Sequence, residues 1–508
     1  MTVKKFILMS IFIILLLLVG CNSSAYAEVE EYTGSEVSYE EEIEEEIKYE
    51  VEVEHLIEPN VCPKNAVAIS AASDHTLALM EDGSLWAWGA SFNWGIHIRS
   101  QIGDGTDENR PLPVKIMEDV AFAMAGPGHS FAITTNGVLW AWGDNWYGQL
   151  GDGTTENRLS PVKIMDDVVY AAMMQEVPNS HAGPGGRSYA IRSDGSLWAW
   201  GQGDGQGAPF SIALGDGGSG NHLLPVQILE NVRAVLPTSN GGFAITNDNT
   251  LWHWHGEIVL FDYEDGEWAR TEFEGRPRPE PILEDVASIS GAFAVTIGGE
   301  LWQITFDGPV WIMDGVIYAT GFAGTNFAIT TEGTLLGWGR NRLPSHWREG
   351  PILGDGTTED RDTPVVILED IAKVRIMGNN VYALANDGIL WTWGTGMRPS
   401  LYFFEDYMWE YAYDDRGFPS GKRWLSDDDT STGIRLSPVA ILDNVAYVAP
   451  IYHQFDHGWV YGPRAFALTH CGSVWAWGVN DRFDHGVSFL GDGSSENRPY
   501  PVRIIEGK

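Results

Sequence analysis

A short segment, apolar-Trp-x-Trp-Gly, returns along the whole chain and restricts the fold more than any other feature. Leu85-Trp86-Ala87-Trp88-Gly89 is followed by Leu139 to Gly143, Leu197 to Gly201, Leu390 to Gly394 and Val474 to Gly478. Weaker copies stand at Leu251-Trp252-His253-Trp254-His255, Leu301-Trp302-Gln303-Ile304 and Leu335-Leu336-Gly337-Trp338-Gly339. Eight copies from Ala66 onward give a period of roughly 55 residues, in the range of propellers and solenoids. Trp86 and Trp88 alternate with Ala, so both rings share one strand face and are expected to pack between neighbouring units.

Each copy has four strand-like parts. In the second, Val120-Ala121-Phe122-Ala123-Met124 is followed by Gly126-Pro127-Gly128-His129 and then Phe131-Ala132-Ile133-Thr134. Asn136-Gly137 turns this strand into Leu139 to Trp142, and Asn-Gly between alternating runs is a strong hairpin signal. Asp82-Gly83, Asp194-Gly195, Glu332-Gly333 and Asp387-Gly388 hold the same place. A loop with Gln149-Leu150-Gly151-Asp152-Gly153 leads to Pro161-Val162-Lys163-Ile164, an outer strand whose Pro lacks a donor that an edge can spare. Four antiparallel strands without a helix signal define a propeller blade. The fold class is therefore all-β, a propeller of eight four-stranded blades.

The Gly-x-x-His element, the Trp-Gly strand, the Gln-Leu-Gly-Asp-Gly loop and the Pro-Val strand together resemble the regulator of chromosome condensation repeat family, over residues 66–508. The resemblance implies a propeller, commonly seven-bladed, against eight units counted here. The fifth unit, Val286 to Met313, lacks the Leu-Gly-Asp-Gly loop but keeps its strand-like pieces. Family members include exchange factors for a small GTPase, chromatin binders and secreted inhibitors of bacterial enzymes. The first copy opens at Ala66 without a preceding Pro-Val strand, and the last ends on Pro501-Val502-Arg503-Ile504-Ile505. The N- and C-terminal strands are expected to close the ring by completing one blade together. Cys62 and Cys471 would then lie near the seam, where a disulfide is an expectation to test.

Charge and the first sixty residues set the location. The chain carries 70 Asp+Glu against 31 Lys+Arg, a net charge of −39, which excludes holding a phosphate backbone. Lys4 and Lys5 precede an apolar run, Phe6 to Val19, of signal-peptide length. It ends in Leu18-Val19-Gly20-Cys21, which resembles a bacterial lipobox with Cys21 as the lipid attachment point; Ala25-Tyr26-Ala27 offers an alternative cleavage site that would free the chain. Residues 22–60 hold 14 Glu and a single Lys48 and read as a solvated tether. The expected organisation is a signal peptide with lipobox over 1–21, an acidic tether over 22–60 and a propeller over 61–508. The expected location is the outer face of a bacterial membrane, touched only through the lipid.

With strands lettered A to D, antiparallel order puts the A–B and C–D connections on one face and the B–C and D–A turns on the other. The long insertions are all of the first kind: Gln202 to Leu224, Gly256 to Pro279, Arg340 to Thr363 and Thr395 to Leu436 at C–D, and Gln175 to Arg187 and Ile451 to Arg464 at A–B. Loops on a rigid scaffold are where binding usually resides. The largest carries Tyr402, Phe403, Phe404, Tyr407, Trp409, Tyr411 and Trp424, rings that suit a protein or glycan surface or else a small core of the loop itself. His453, His457 and Trp459 share a second insertion. His-x3-His beside carboxylates could bind zinc, yet no second shell is evident and no metal or cofactor is expected. The recurring Asp152-Gly153-Thr154-Thr155-Glu156-Asn157-Arg158 motif reads as loop architecture rather than a calcium site. There is no Walker loop, Gly-x-Ser-x-Gly elbow or His-Glu-x-x-His. The chain reads as a non-enzymatic scaffold for a protein partner with a basic patch, with a surface-glycan binder as the alternative and a polysaccharide-active enzyme behind it.

Overall fold

The structure is a computed structural model that describes residues 65–72, 74–91, 101–173, 186–203, 213–256, 258–264, 267–273, 275–305, 307–341, 352–377, 380–394, 435–454, 460–480 and 488–507. Eight four-stranded antiparallel sheets follow one another along the chain as the blades of an eight-bladed propeller, with no helix among the described residues. Blade 1 spans Ala66–Met117, blade 2 Val120–Met165, blade 3 Val168–Leu229 and blade 4 Val232–Leu283. Blade 5 spans Val286–Met313, blade 6 Val316–Leu368, blade 7 Ile371–Leu442 and blade 8 Val445–Ile505. In blade 2, strands A to D are Val120–Ala125, His129–Thr134, Leu139–Gly143 and Arg158–Met165. Strands A of neighbouring blades pack together around the axis, and strands D lie at the periphery.

The repeated Trp-x-Trp builds the core between blades. Trp88, Trp142, Trp200, Trp254, Trp393 and Trp477, the second Trp of their copies, are fully buried. Trp198 and Trp200 of blade 3 pack with Phe131, Ile133 and Leu139 of blade 2, so one face of strand C serves the preceding blade, as its alternation implies. The first Trp has a different task. The indole N–H of Trp86 donates to Ser84 Oγ at 3.0 Å and that of Trp198 to Ser196 Oγ at 2.9 Å, stapling the B–C turn.

One backbone bond recurs between every pair of neighbours. The N–H opening strand A of one blade donates to a carbonyl in the B–C turn of the blade before. Val120 bonds Gly83 at 2.9 Å, and the same link recurs from Val168 to Gly137, Val232 to Gly195, Val286 to Asn249, Val316 to Gly299, Ile371 to Gly333 and Val445 to Gly388. The eighth, Ala66 to Gly472 at 3.0 Å, joins blade 8 to blade 1. Just upstream, Asp119, Asp167, Asn231, Asp285, Asp370 and Asn444 take left-handed φ values of 55 to 62°. Asn and Asp tolerate that region, and it lets a two-residue turn reverse the chain from D to A.

One expectation needs correction. The ring does close at its termini, but no blade is shared between them: strands A to D of blade 1 are consecutive, as are those of blade 8. A strand contributed from the far terminus is unnecessary, because the ordinary junction bond already joins the two ends. The insertion Gly256 to Pro279 is structured, holding a two-stranded hairpin of Ile258–Glu264 and Glu267–Phe273. The insertion at Ile451 to Arg464 is partly strand, since strands A and B of blade 8 run on to Gln454 and start again at Val460. The short fifth unit is a complete blade with all four strands.

Candidate interaction face

The C–D loops rise from a repeated clamp. In blade 2, Asn145 Nδ2 donates to the carbonyls of Thr154 and Glu156 at 3.0 and 3.1 Å, while its Oδ1 accepts from Leu150 N–H at 3.0 Å. Arg158 pairs with Asp152 at 2.6 Å. Burial opposes ionisation of Asp152, but the Thr154 and Arg158 hydrogen bonds outweigh it and hold the carboxyl below its ordinary range. Asp355–Arg361 and Asp492–Arg498 pair at 2.6 Å, Asp104 pairs with Arg110, and in blade 3 His222 takes the arginine's place, 2.8 Å from Asp216. The recurrent Asp-to-Arg motif is thus loop architecture.

Each clamped loop also grips the next blade. Gly151, at φ +80°, lies so close to Trp200 that a Cβ would stand 2.7 Å from its indole nitrogen. Gly354 is set against Trp393 and Gly491 against Trp88 in the same way, at 2.5 and 2.6 Å. The following glycine donates across the junction: Gly153 to Leu223 O at 2.9 Å, Gly105 to Leu159 O at 2.9 Å and Gly493 to Pro111 O at 3.0 Å. Blade 5 has no such loop, since only Phe306 and Asp307 separate its strands C and D. Trp338 of blade 6, which a loop would cover, is only half-buried.

Beneath this rim runs a buried polar layer. His75 Nε2 lies 2.6 Å from Ser130 Oγ of the next blade, and His129 Nε2 lies 3.3 Å from Ser188 Oγ of the one after. The two serines donate onward to Gln101 O at 3.2 Å and Gln149 O at 2.7 Å, carbonyls that also accept from Trp142 and Trp200. Burial lowers the His75 pKa to about 4 and the His129 pKa to about 3. Ser130 and Ser188 are 0% exposed, so these Ser–His pairs meet no substrate and serve to join blades. The Gly-x-x-His signal is visible in the sequence; the serine one repeat away that completes it went unread.

The aromatic residues Tyr402, Phe403, Phe404, Tyr407, Trp409, Tyr411 and Trp424 lie outside the described residues, as do His457, Trp459, Cys21 and Cys62. His453 is on strand A of blade 8, in register with Tyr461. Cys471 sits in the B–C turn of blade 8, where the Thr469 hydroxyl, 3.2 Å from Sγ, draws its thiol below the ordinary range. Of the loop tryptophans, Trp146 is 59% exposed, Trp268 is in the inserted hairpin, and Trp94 and Trp347 lie outside the described residues. Among the described residues no three His, Cys, Asp or Glu groups are placed to hold a metal ion.

Residues 136–173, and separately 66–93 and 120–149, match the family described as Regulator of chromosome condensation (RCC1) repeat. Over those residues the chain is similar to RCC1 repeats. The Ultraviolet-B receptor UVR8 of Arabidopsis thaliana is 24% identical over 379 residues, covering 72% of this chain and 71% of the receptor. The RCC1 domain-containing protein RUG3, mitochondrial, of the same plant is 28% identical over 224 residues, 41% of this chain and 40% of RUG3. Among solved structures, Prp20p from Saccharomyces cerevisiae, described with its binding properties to Gsp1p and histones, is 17% identical with a TM-score of 0.43, over 75% of this chain and 79% of Prp20p.

Proposed function

We propose that this propeller is an exported scaffold, lipid-anchored through Cys21, that binds a protein partner with the rim bearing its A–B and C–D loops. One observation carries the reading: length varies only at those two connections. Strands C and D are separated by two residues in blade 5 and by 40 in blade 7, between Gly394 and Arg435, while every D–A turn has two residues. A face free to vary on a clamped base is built for recognition, and its opposite is built for the fold. The aromatic content of residues 400–426 supplies contact area, and the acidity of the chain favours a basic partner. No catalytic role is assigned, since the Ser–His pairs are sealed.

Deleting residues 400–426 tests the reading. Pull-down of envelope proteins should lose its main partner while the thermal transition is retained. Retention of the same partner at the same yield would overturn the rim as the binding face. Capture of a polysaccharide in place of a protein would favour a glycan ligand. Metabolic labelling with a palmitate analogue, lost in Cys21→Ala, checks the anchor.

A further inference from the structure

The eight strands A contain no Asp or Glu, although residues 61–508 hold 56 acidic side chains. The charges they do carry are Arg233 in blade 4 and Lys373 and Arg375 in blade 7. Arg233 is engaged: its Nη2 donates to Val286 O and Ala287 O at 2.8 and 3.1 Å, across the junction to blade 5. The blade 7 pair has no such outlet. Lys373 and Arg375 stand two residues apart, in register with Leu384 and Tyr382, so they share one face of the innermost strand. Lys373 is half-buried with its Nζ 6.0 Å from the Tyr447 ring of blade 8, and Arg375 is exposed. Among the described residues neither forms an ion pair. Burial, and then the charge of Arg375, push the Lys373 ammonium below its ordinary range.

Two cations side by side, in a chain rich in carboxylates yet with none on the surrounding inner strands, leave a charge of about +2 without a counter-ion among the described residues. We propose that strand A of blade 7 is an anion site, with the Lys373 ammonium and the Arg375 guanidinium holding a dianionic oxyanion beside this innermost strand. A dianion matches the pair in charge. The guanidinium fork can take two oxygens and the ammonium a third, a geometry that suits a phosphate group better than a single carboxylate. The group held there is a free oxyanion or one borne on a larger molecule. Inorganic phosphate and a linear phosphate monoester are the two probes that separate those sources.

The test uses the full chain at constant ionic strength. Phosphate should raise the thermal midpoint saturably, and Lys373→Met with Arg375→Gln should abolish that rise. Without phosphate, the double variant should melt no lower than the parent, because a repulsion has been removed. A second readout does not depend on stability: acetylation of Lys373, followed by mass spectrometry, should slow several-fold when phosphate is present. Protection by the monoester at lower concentration than by phosphate would assign the site to a larger phosphorylated ligand, and the reverse order to the free ion. Equal stabilisation of parent and variant, or unchanged Lys373 acetylation with both probes, would overturn the proposal.

Discussion

His75 and His129 are held neutral by burial, and each lies within hydrogen-bond distance of a serine of the next blade. Folded, they accept a proton only near pH 4 and pH 3; unfolded, both accept one near 6.5. Between those values the unfolded chain binds more protons, so acid drives unfolding. Their contribution is complete above about pH 6.5 and is lost as pH falls toward 4. His253, lowered by burial to about 4 and stacked on Phe243 at 4.2 Å, acts in the same direction. Urea melts from pH 8 to 4.5 should show a plateau and then a decline, and His75→Gln with His129→Gln should flatten that decline by close to two protons per molecule. An unchanged slope would contradict the buried neutral state. The histidines and glycines were legible as repeat marks. Their partners were not, because Ser130 stands 55 residues from His75 and only the assembled ring brings them together.

At the scale of elements, the loop clamp explains an uneven ring. The loops of blades 8, 1, 2, 3 and 6 each set a glycine against the following blade and donate a backbone N–H to its strand D. Blade 5 has neither the loop nor its clamp, so its hold on blade 6 rests on the common junction bond, the contact of Ser290 Oγ with the Tyr318 hydroxyl at 3.1 Å and a smaller apolar cluster around Phe293, Val295 and Ala328. Hydrogen exchange should therefore be faster in Val286–Met313 and Val316–Phe322 than in the equivalent strands of blade 2. Equal protection in the two blades would show that the clamp adds nothing to local stability. Blade 5 lacks the motif and is still legible as a blade, because the period-2 pattern survives loss of a loop. The paired strands in two insertions were missed for a related reason: a hairpin that leaves the blade lies outside the repeat, so periodicity says nothing about it.

For the whole molecule, acidity has a place as well as a sum. All seven D–A turns expose at least one carboxylate, among them Glu118, Asp166, Glu230, Glu284, Asp314, Glu369 and Asp443, whereas the innermost strands carry none. Some of this charge is matched locally, as where Lys115 meets Glu118 at 2.6 Å and Lys163 meets Asp166 at 2.8 Å. The turn face therefore attracts cationic surfaces too, and salt dependence of binding does not by itself distinguish the two faces. The count of eight blades was legible because the Trp-bearing strand recurs eight times. The manner of closure was not, since a backbone bond between blades leaves no trace in side-chain pattern.

That closure has a consequence for how the chain can be rewired. Ala66 bonds Gly472, and Gly507 N–H bonds Ser473 Oγ at 2.9 Å, so the two ends of the ring meet at one turn. No strand crosses the seam, and each blade is one unbroken stretch of chain. A short peptide joining residue 507 to residue 65, with new ends opened at the D–A turn near Asp314, should give a circular permutant that folds with the parent's circular dichroism and a closely similar melting temperature. Failure of that permutant to fold, where one opened between strands within a blade succeeds, would show that the seam holds something its neighbours lack. By its hydrogen bonds, the ring has an order but no first blade.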